Sequence, residues 1–276
     1  MLPAHMYPKL GDHPNLVGHY GDAWQKQRKE FAAFPGPVVA NTNCVLIPDE
    51  RYADRIYSIP PVAVPGGIVL DENDLTPLIE KAKACAPCVD KIEKETMVGF
   101  HHSVIATKLD DILAAVTAGQ IRRFFVIGGC DGAEPGRNYF TDYADAVPDD
   151  CFILTLGCGK YRIRKDDHGS HLGLPRLLDM GQCNDAFGAI KVAVALSEAT
   201  GLGVNDLPLT LVVSWFEQKA VAVLLTLLHL GIKGITIGPK PPAFVTPNVF
   251  AVLQEKFDLK LTGDDAKAEC EAAMAS

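Results

Sequence analysis

From residue 108 onward, short runs of β-branched and aromatic residues alternate with helix-period stretches, and this alternation constrains the fold more than any other feature. Arg122 to Ile127 (RRFFVI), Cys151 to Leu156 (CFILTL), Leu209 to Ser214 (LTLVVS) and Gly234 to Ile237 (GITI) read as strands, with Leu174 to Met180 as a weaker candidate. Between them, helix-period stretches run over 110–118, 185–199, 217–230 and 247–257, and Gly119, Gly201 and Gly231 close the first three. Strands that are apolar throughout and are separated by helices predict a parallel sheet covered on both faces. The expectation is an α/β fold with a doubly wound domain over 108–276. Before it, a smaller and incomplete α/β domain is expected over 1–107. There Pro35, Pro37, Pro48, Pro60, Pro61 and Pro65 interrupt the pattern, leaving Val38 to Ala40 and Ile56 to Ile59 as strands and 75–84 as a helix.

A chain of 276 residues is long enough for two such domains. Its net charge of −8 and the lack of any basic stripe longer than Arg162 to Lys165 argue against a nucleic-acid or anionic-membrane partner. No apolar run approaches the roughly 20 residues of a membrane span. The start, MLPAHM, has neither a basic n-region nor an apolar h-region, so the expected location is the cytoplasm. In that reducing setting the eight cysteines are expected as core fillers, metal ligands or reactive thiols rather than disulfides.

In open parallel sheets, functional groups collect beyond the carboxyl ends of the strands, where the loops converge. Cys130 follows RRFFVIGG, Cys158 follows CFILTLG, Cys183 follows RLLDMGQ, Cys44 follows VVANTN, and Glu217 follows LVVSWF. A buried filler is the ordinary fate of a cysteine inside an apolar strand, and Cys151 fits it. The other four stand outside the strands beside Gly, Asp or Asn, where a filler gains little burial. Thiolates from separate strand ends can converge on a soft metal, most commonly in iron–sulfur ligation. Cys85 and Cys88 form a lone CxxC, a weak sign of zinc or redox chemistry, and Cys270 reads as inert in a polar tail. His101-His102 and His168-x-x-His171 read more readily as solvated loop histidines than as ligands. GxGxxG, Walker and GxSxG patterns are missing.

Several long motifs occur in order: GGCDGAEPGRNYFT (128–141), LGCGKYR (156–162), LPRLLDMGQCND (174–185) and WFEQKAV (215–221), with MLPAHMYPKL at the start and NTNC around Cys44. Together they make the chain similar to the hybrid cluster proteins, also called prismane proteins or hydroxylamine reductases. The resemblance implies two Rossmann-like domains holding a hybrid [4Fe-2O-2S] iron–sulfur–oxygen cluster. It implies Cys44, Cys130, Cys158 and Cys183 as sulfur ligands, Cys130 at the position that bears a persulfide in some states, and Glu217 as a glutamate ligand. Lys219 matches a lysine near the open side of the cluster, an expected proton donor that Glu217 assists. The implied reaction is reduction of hydroxylamine to ammonia, or of a related nitrogen oxide such as nitric oxide. Its partners are that small-molecule substrate and a redox electron donor.

The chain departs from this pattern in several places. Nothing in it matches the family's N-terminal helical domain or the second iron–sulfur cluster which that domain carries. The remaining histidine and glutamate ligands lie upstream in the family, the glutamate immediately before the residue matching Met1. Phe216 stands where relatives commonly have Tyr. The resemblance therefore implies a truncated fragment that assembles its cluster poorly and has impaired activity. Two other readings stay open: a nickel-containing enzyme like the carbon monoxide dehydrogenases, and a non-catalytic partner subunit whose missing ligands come from another polypeptide.

Overall fold

The computed structural model describes residues 13–16, 18–41, 44–88, 95, 97, 100–164, 167–214 and 217–275. They fall into two compact units, His19–Thr96 and Met97–Ser276, with the described residues of 13–18 grouped with the second.

The first unit is built on a small parallel sheet. Helix α1 (Gln27–Ala33) precedes strand β1 (Val38–Ala40), which pairs with β2 (Ile56–Ser58), and β2 pairs in turn with β3 (Ile68–Val69). Helix α2 (Thr76–Ala84) follows, with Pro77 in its first turn, where the missing N–H costs nothing. Tyr52, Ile56 and Val64 are buried beside Ala40 and form its core.

The second unit opens with α3 (His102–Ala106) and α4 (Leu109–Thr117) and then enters a six-stranded parallel sheet. Its strands are β4 (Arg123–Gly129), β5 (Cys151–Thr155), β8 (Leu177–Asp179), β9 (Leu209–Ser214), β10 (Thr236–Gly238) and β11 (Lys260–Leu261), in the spatial order β11-β10-β9-β4-β5-β8. The helices between them are α5 (Tyr139–Asp145), the short α6 (Lys160–Ile163), α7 (Ala186–Thr200), α8 (Gln218–His229) and α9 (Pro247–Phe257). Every residue of β5 is buried, as a continuous apolar run in a parallel sheet requires. One core cluster gathers Phe125, Ile127, Ile153 and Tyr143, and another gathers Val213, Leu224, Ile235 and Ile237.

Two stretches differ from the sequence expectation. The single strand expected over Leu174 to Met180 is divided: β7 (Leu174–Pro175) pairs antiparallel with β6 (Ser170–His171), and only Leu177–Asp179 joins the main sheet. Pro175 cannot donate to a ladder, and Arg176 turns inward to bond the carbonyls of Val147, Pro148, Cys151 and His168. The segment expected as a polar tail is a further helix, α10 (Ala266–Met274), capped by Asp265, whose carboxylate accepts from the Ala268 N–H. Its Cys270 is fully buried in the cluster around Phe125 and Tyr143.

Candidate metal-cluster site at the carboxyl ends of the strands

Strands β4, β5 and β8 are neighbours, so the loops that leave their carboxyl ends begin side by side. Those loops carry Cys130, Cys158 and Cys183, and the adjacent β9 leads to Glu217. Backbone hydrogen bonds continue the register past the strands: Gly129 N–H donates to Leu156 O at 3.1 Å, Gly159 N–H to Gly129 O at 2.8 Å, and Gly157 N–H to Gly181 O at 2.9 Å. From the other side, Cys130 N–H donates to Ser214 O at 3.1 Å. The three thiol loops are thus laced together through main-chain atoms.

This close approach depends on glycine. Gly157 has φ +76°, and a Cβ there would lie 2.7 Å from Gly129 O and 3.2 Å from the Cys183 Sγ. Gly129 has φ +108°, and a Cβ there would lie 1.9 Å from Ser214 O. L-residues are strained at such angles, and here the added carbon would also strike a neighbouring backbone. The Cys183 sulfur accordingly sits against the residue preceding Cys158.

Cys130 is buried, and Cys158 and Cys183 are half-buried. Cys183 lies in a 3-10 turn, Cys183–Asp185, held by a capping box in which the Gln182 N–H donates to Asp185 Oδ2 at 2.7 Å. The Lys219 Nζ donates to Asn184 Oδ1 at 3.2 Å, so the first turn of α8 reaches the same turn. Glu217 is the N-cap residue of α8, in extended conformation. Trp215 and Phe216 lie outside the described residues, as does Met1. In the first unit, Cys44 is half-buried in the loop after β1. The buried Gln27 side chain brackets it, Nε2 donating to Cys44 O at 2.8 Å and Oε1 accepting from Leu46 N–H at 2.7 Å.

The remaining candidates sit elsewhere. Cys85 caps α2 and Cys88 is exposed beyond it. His168 Nε2 bonds Ile163 O at 2.8 Å, and His171 Nε2 bonds Gln120 O at 2.6 Å, so both imidazoles fasten loops to the backbone. His101 caps α3 through Ser103 N–H and its ring packs on that of His102. Cys151 and Cys270 are buried, and burial pushes each thiol up from the ordinary 9.0 to about 11, Asp150 adding to the rise at Cys151 and Glu271 at Cys270. Eight thiols are present and no disulfide joins any of them.

Among the described residues, no group of three or more His, Cys, Asp or Glu side chains is arranged to hold a single metal ion. In the second unit, Cys130, Cys158 and Cys183 stand instead on separate loops that leave adjacent strands. Such a donor set fits an iron–sulfur cluster, in which each thiolate binds a different iron. Two buried cations went unnoticed in the sequence. Lys160 and Arg162 stand two and four residues after Cys158, and the short basic run Arg162 to Lys165 signalled only the second.

An apolar cavity of about 230 Å³ lies between the sheet and helices α7 and α8. It reaches Gly129, Leu156 and Cys183 at the carboxyl end of the sheet, and Asn205 and the exposed Lys233 at the other. On α7 it is lined by Ala186, Ala189, Ile190, Ala193 and Val194, and on β9 by Leu209, Leu211 and Val213. No helix among the described residues is long and apolar enough to cross a membrane.

The hydroxylamine reductase of Moorella thermoacetica is 56% identical over 260 residues, covering 94% of this chain and 61% of the relative. That of Geobacter metallireducens is 52% identical over 259 residues, covering 94% of this chain and 47% of the relative. The chain thus spans about half the length of the curated relatives it matches. Among solved structures, carbon monoxide dehydrogenase IV from Carboxydothermus hydrogenoformans matches with a TM-score of 0.69 at 16% identity, over 92% of this chain and 50% of that one. A Ni-free carbon monoxide dehydrogenase from Thermococcus sp. AM4 matches with a TM-score of 0.68 at 16% identity, over 92% of this chain and 48% of that one, and both likenesses concern the fold. The family model for Prismane/CO dehydrogenase matches residues 1–269, and the chain belongs to that family.

Proposed function

We propose that this chain supplies much of the active centre of a hydroxylamine reductase, holding a hybrid iron–sulfur–oxygen cluster through Cys44, Cys130, Cys158, Cys183 and Glu217. The observation that carries this reading is the lacing of three thiol loops at the ends of adjacent strands, with the Cys183 sulfur close against position 157. Relatives more than 50% identical bear the name hydroxylamine reductase, whereas the carbon monoxide dehydrogenases share the fold at 16% identity, which favours the first chemistry over the nickel enzyme. In this reading the portion up to residue 107 contributes Cys44, and the portion from 108 contributes the other ligands.

The reaction is NH2OH + 2 e⁻ + 2 H⁺ → NH3 + H2O, in which the N–O bond breaks and a redox donor provides both electrons. The bound cluster would supply electron transfer and a Lewis-acidic iron with an open position. The protein holds the ligands in place, excludes water and delivers protons. Lys219 is the proton donor: its Nζ donates to Asn184 Oδ1, in the turn that carries Cys183. Glu217, two residues earlier at the helix start, assists that transfer when its carboxylate is not a ligand. The largely apolar cavity along β9 reaches Cys183 and offers a path for a small uncharged molecule.

Replacing Lys219 by Met in the cluster-loaded protein is expected to lower kcat by about 10²-fold or more, within the range for loss of a general acid. Iron content should stay the same. Unchanged kcat would remove Lys219 from the mechanism.

A further inference from the structure

We propose that Lys160 and Arg162 are positioning residues that fix the spacing of the three thiol loops, using the four-residue helix α6 as a clamp. The proposal rests on the reading of Cys130, Cys158 and Cys183 as cluster ligands. Helix α6 begins two residues after Cys158, and its cationic side chains diverge to the two other loops. Lys160, 3% exposed, points towards the Cys183 loop: its Nζ donates to Asp179 Oδ1 at 3.0 Å and to Gly181 O at 3.2 Å. The same Asp179 oxygen also accepts from Gly181 N–H at 3.0 Å, which closes a compact knot just before Cys183.

Arg162 points towards the Cys130 loop. Its Nε donates to Asp131 O at 3.1 Å, and its Nη2 donates to Asp131 Oδ1 at 2.6 Å and Glu134 O at 2.7 Å, while Nη1 bonds Arg137 O. Asp131, the residue after Cys130, is fully buried, and its N–H donates to Ser214 Oγ at 2.8 Å. A guanidinium is the group suited to this task, because its planar fork makes several bonds at fixed angles that an ammonium cannot reproduce. Each cation therefore restrains one loop.

Burying two cations is costly unless each is paired and hydrogen-bonded, and both are. A core holding only the fold together could use apolar side chains here at no loss. The polar choice is explained if the thiols must stand at set distances, since directional bonds define a geometry that apolar packing leaves adjustable.

The test uses the whole chain, first without metal. Thiol labelling by a maleimide, mapped by mass spectrometry, is compared in the parent, Lys160→Gln and Arg162→Lys, with exposed Cys88 and buried Cys270 as internal references. Lys160→Gln should speed labelling of Cys183 about tenfold, and Arg162→Lys that of Cys130 by a similar factor, the scale of one lost charge-assisted hydrogen bond. The other loop's thiol should be unchanged in each case. Unaltered rates at both thiols, or an equal rise at Cys270, would overturn the proposal.

A second readout follows anaerobic loading with iron and sulfide. Both variants should shift the visible thiolate-to-iron absorption, whereas Arg176→Lys, which disturbs a buried guanidinium network around Val147 and Cys151, should not. A shift of equal size in Arg176→Lys would also count against the clamp. If the parent binds no iron, the ligand reading fails while the metal-free labelling still decides whether the clamp exists.

Discussion

A side chain at position 157 would have nowhere to go: its first carbon would press on Gly129 O at 2.7 Å and on the Cys183 sulfur at 3.2 Å. Gly201, by contrast, has φ +71° at the end of α7 with open space around it. Gly201→Ala should therefore cost about 1–2 kcal/mol, the left-handed backbone penalty alone. Gly157→Ala should cost visibly more and should also reduce iron uptake, because the Cys183 loop must retreat. Urea unfolding of both variants checks this, and equal losses of stability would show that position 157 is an ordinary turn. The buried thiols give a second residue-scale prediction. Cys151 and Cys270 keep their protons to about pH 11 in the folded state, while the unfolded chain releases them near 9.0. The unfolded state binds fewer protons between those values, so the contribution of these thiols is complete below pH 9 and is lost as pH rises through 11. Comparing urea midpoints at pH 8 and 11 should show a smaller alkaline loss for Cys151→Ala/Cys270→Ala than for the parent. The same loss in both proteins would contradict the assignment.

At the scale of elements, α7 contributes Ala186, Ala189 and Ala193, together with Ile190 and Val194, to the wall of the cavity that reaches Cys183. Its lining is mostly apolar, which favours xenon over ordered water. Xenon-pressurised crystals should show the atom beside Ala189, and Ala189→Leu should exclude it. An ordered chain of water in that space would contradict the apolar character assigned to it. The elements also show what was legible. LTLVVS and 247–257 could be placed residue by residue, because a continuous β-branched run, or a Thr-Pro start before an amphipathic stretch, leaves little choice of conformation. Helix α10 was missed because Ala266, Cys270 and Ala273 form a buried face from small residues that a hydropathy reading counts as weak. Strand β3, two exposed residues long, had no period to detect. Lys160 and Arg162 could not be distinguished from solvated cations, since their burial is decided by loops 19 to 31 residues away in sequence.

For the molecule as a whole, strand order converts distant sequence positions into neighbours. Cys130, Cys158 and Cys183 are spread over more than fifty residues, and the order β4-β5-β8 places their loops side by side. Their position after strands could be read from the sequence, since GG and LG follow apolar runs; which strands adjoin could not, because that depends on non-local pairing. The account's central claim is that these thiols act together on one inorganic centre. The most direct measurement is iron and acid-labile sulfide per chain after anaerobic reconstitution, in the parent and in a variant with all three replaced by Ala. Cys85→Ala/Cys88→Ala serves as the reference. The account predicts that the parent and the reference retain iron and sulfide together, though less than a full cluster, and that the triple variant retains neither. Equal amounts in the parent and the triple variant would contradict it.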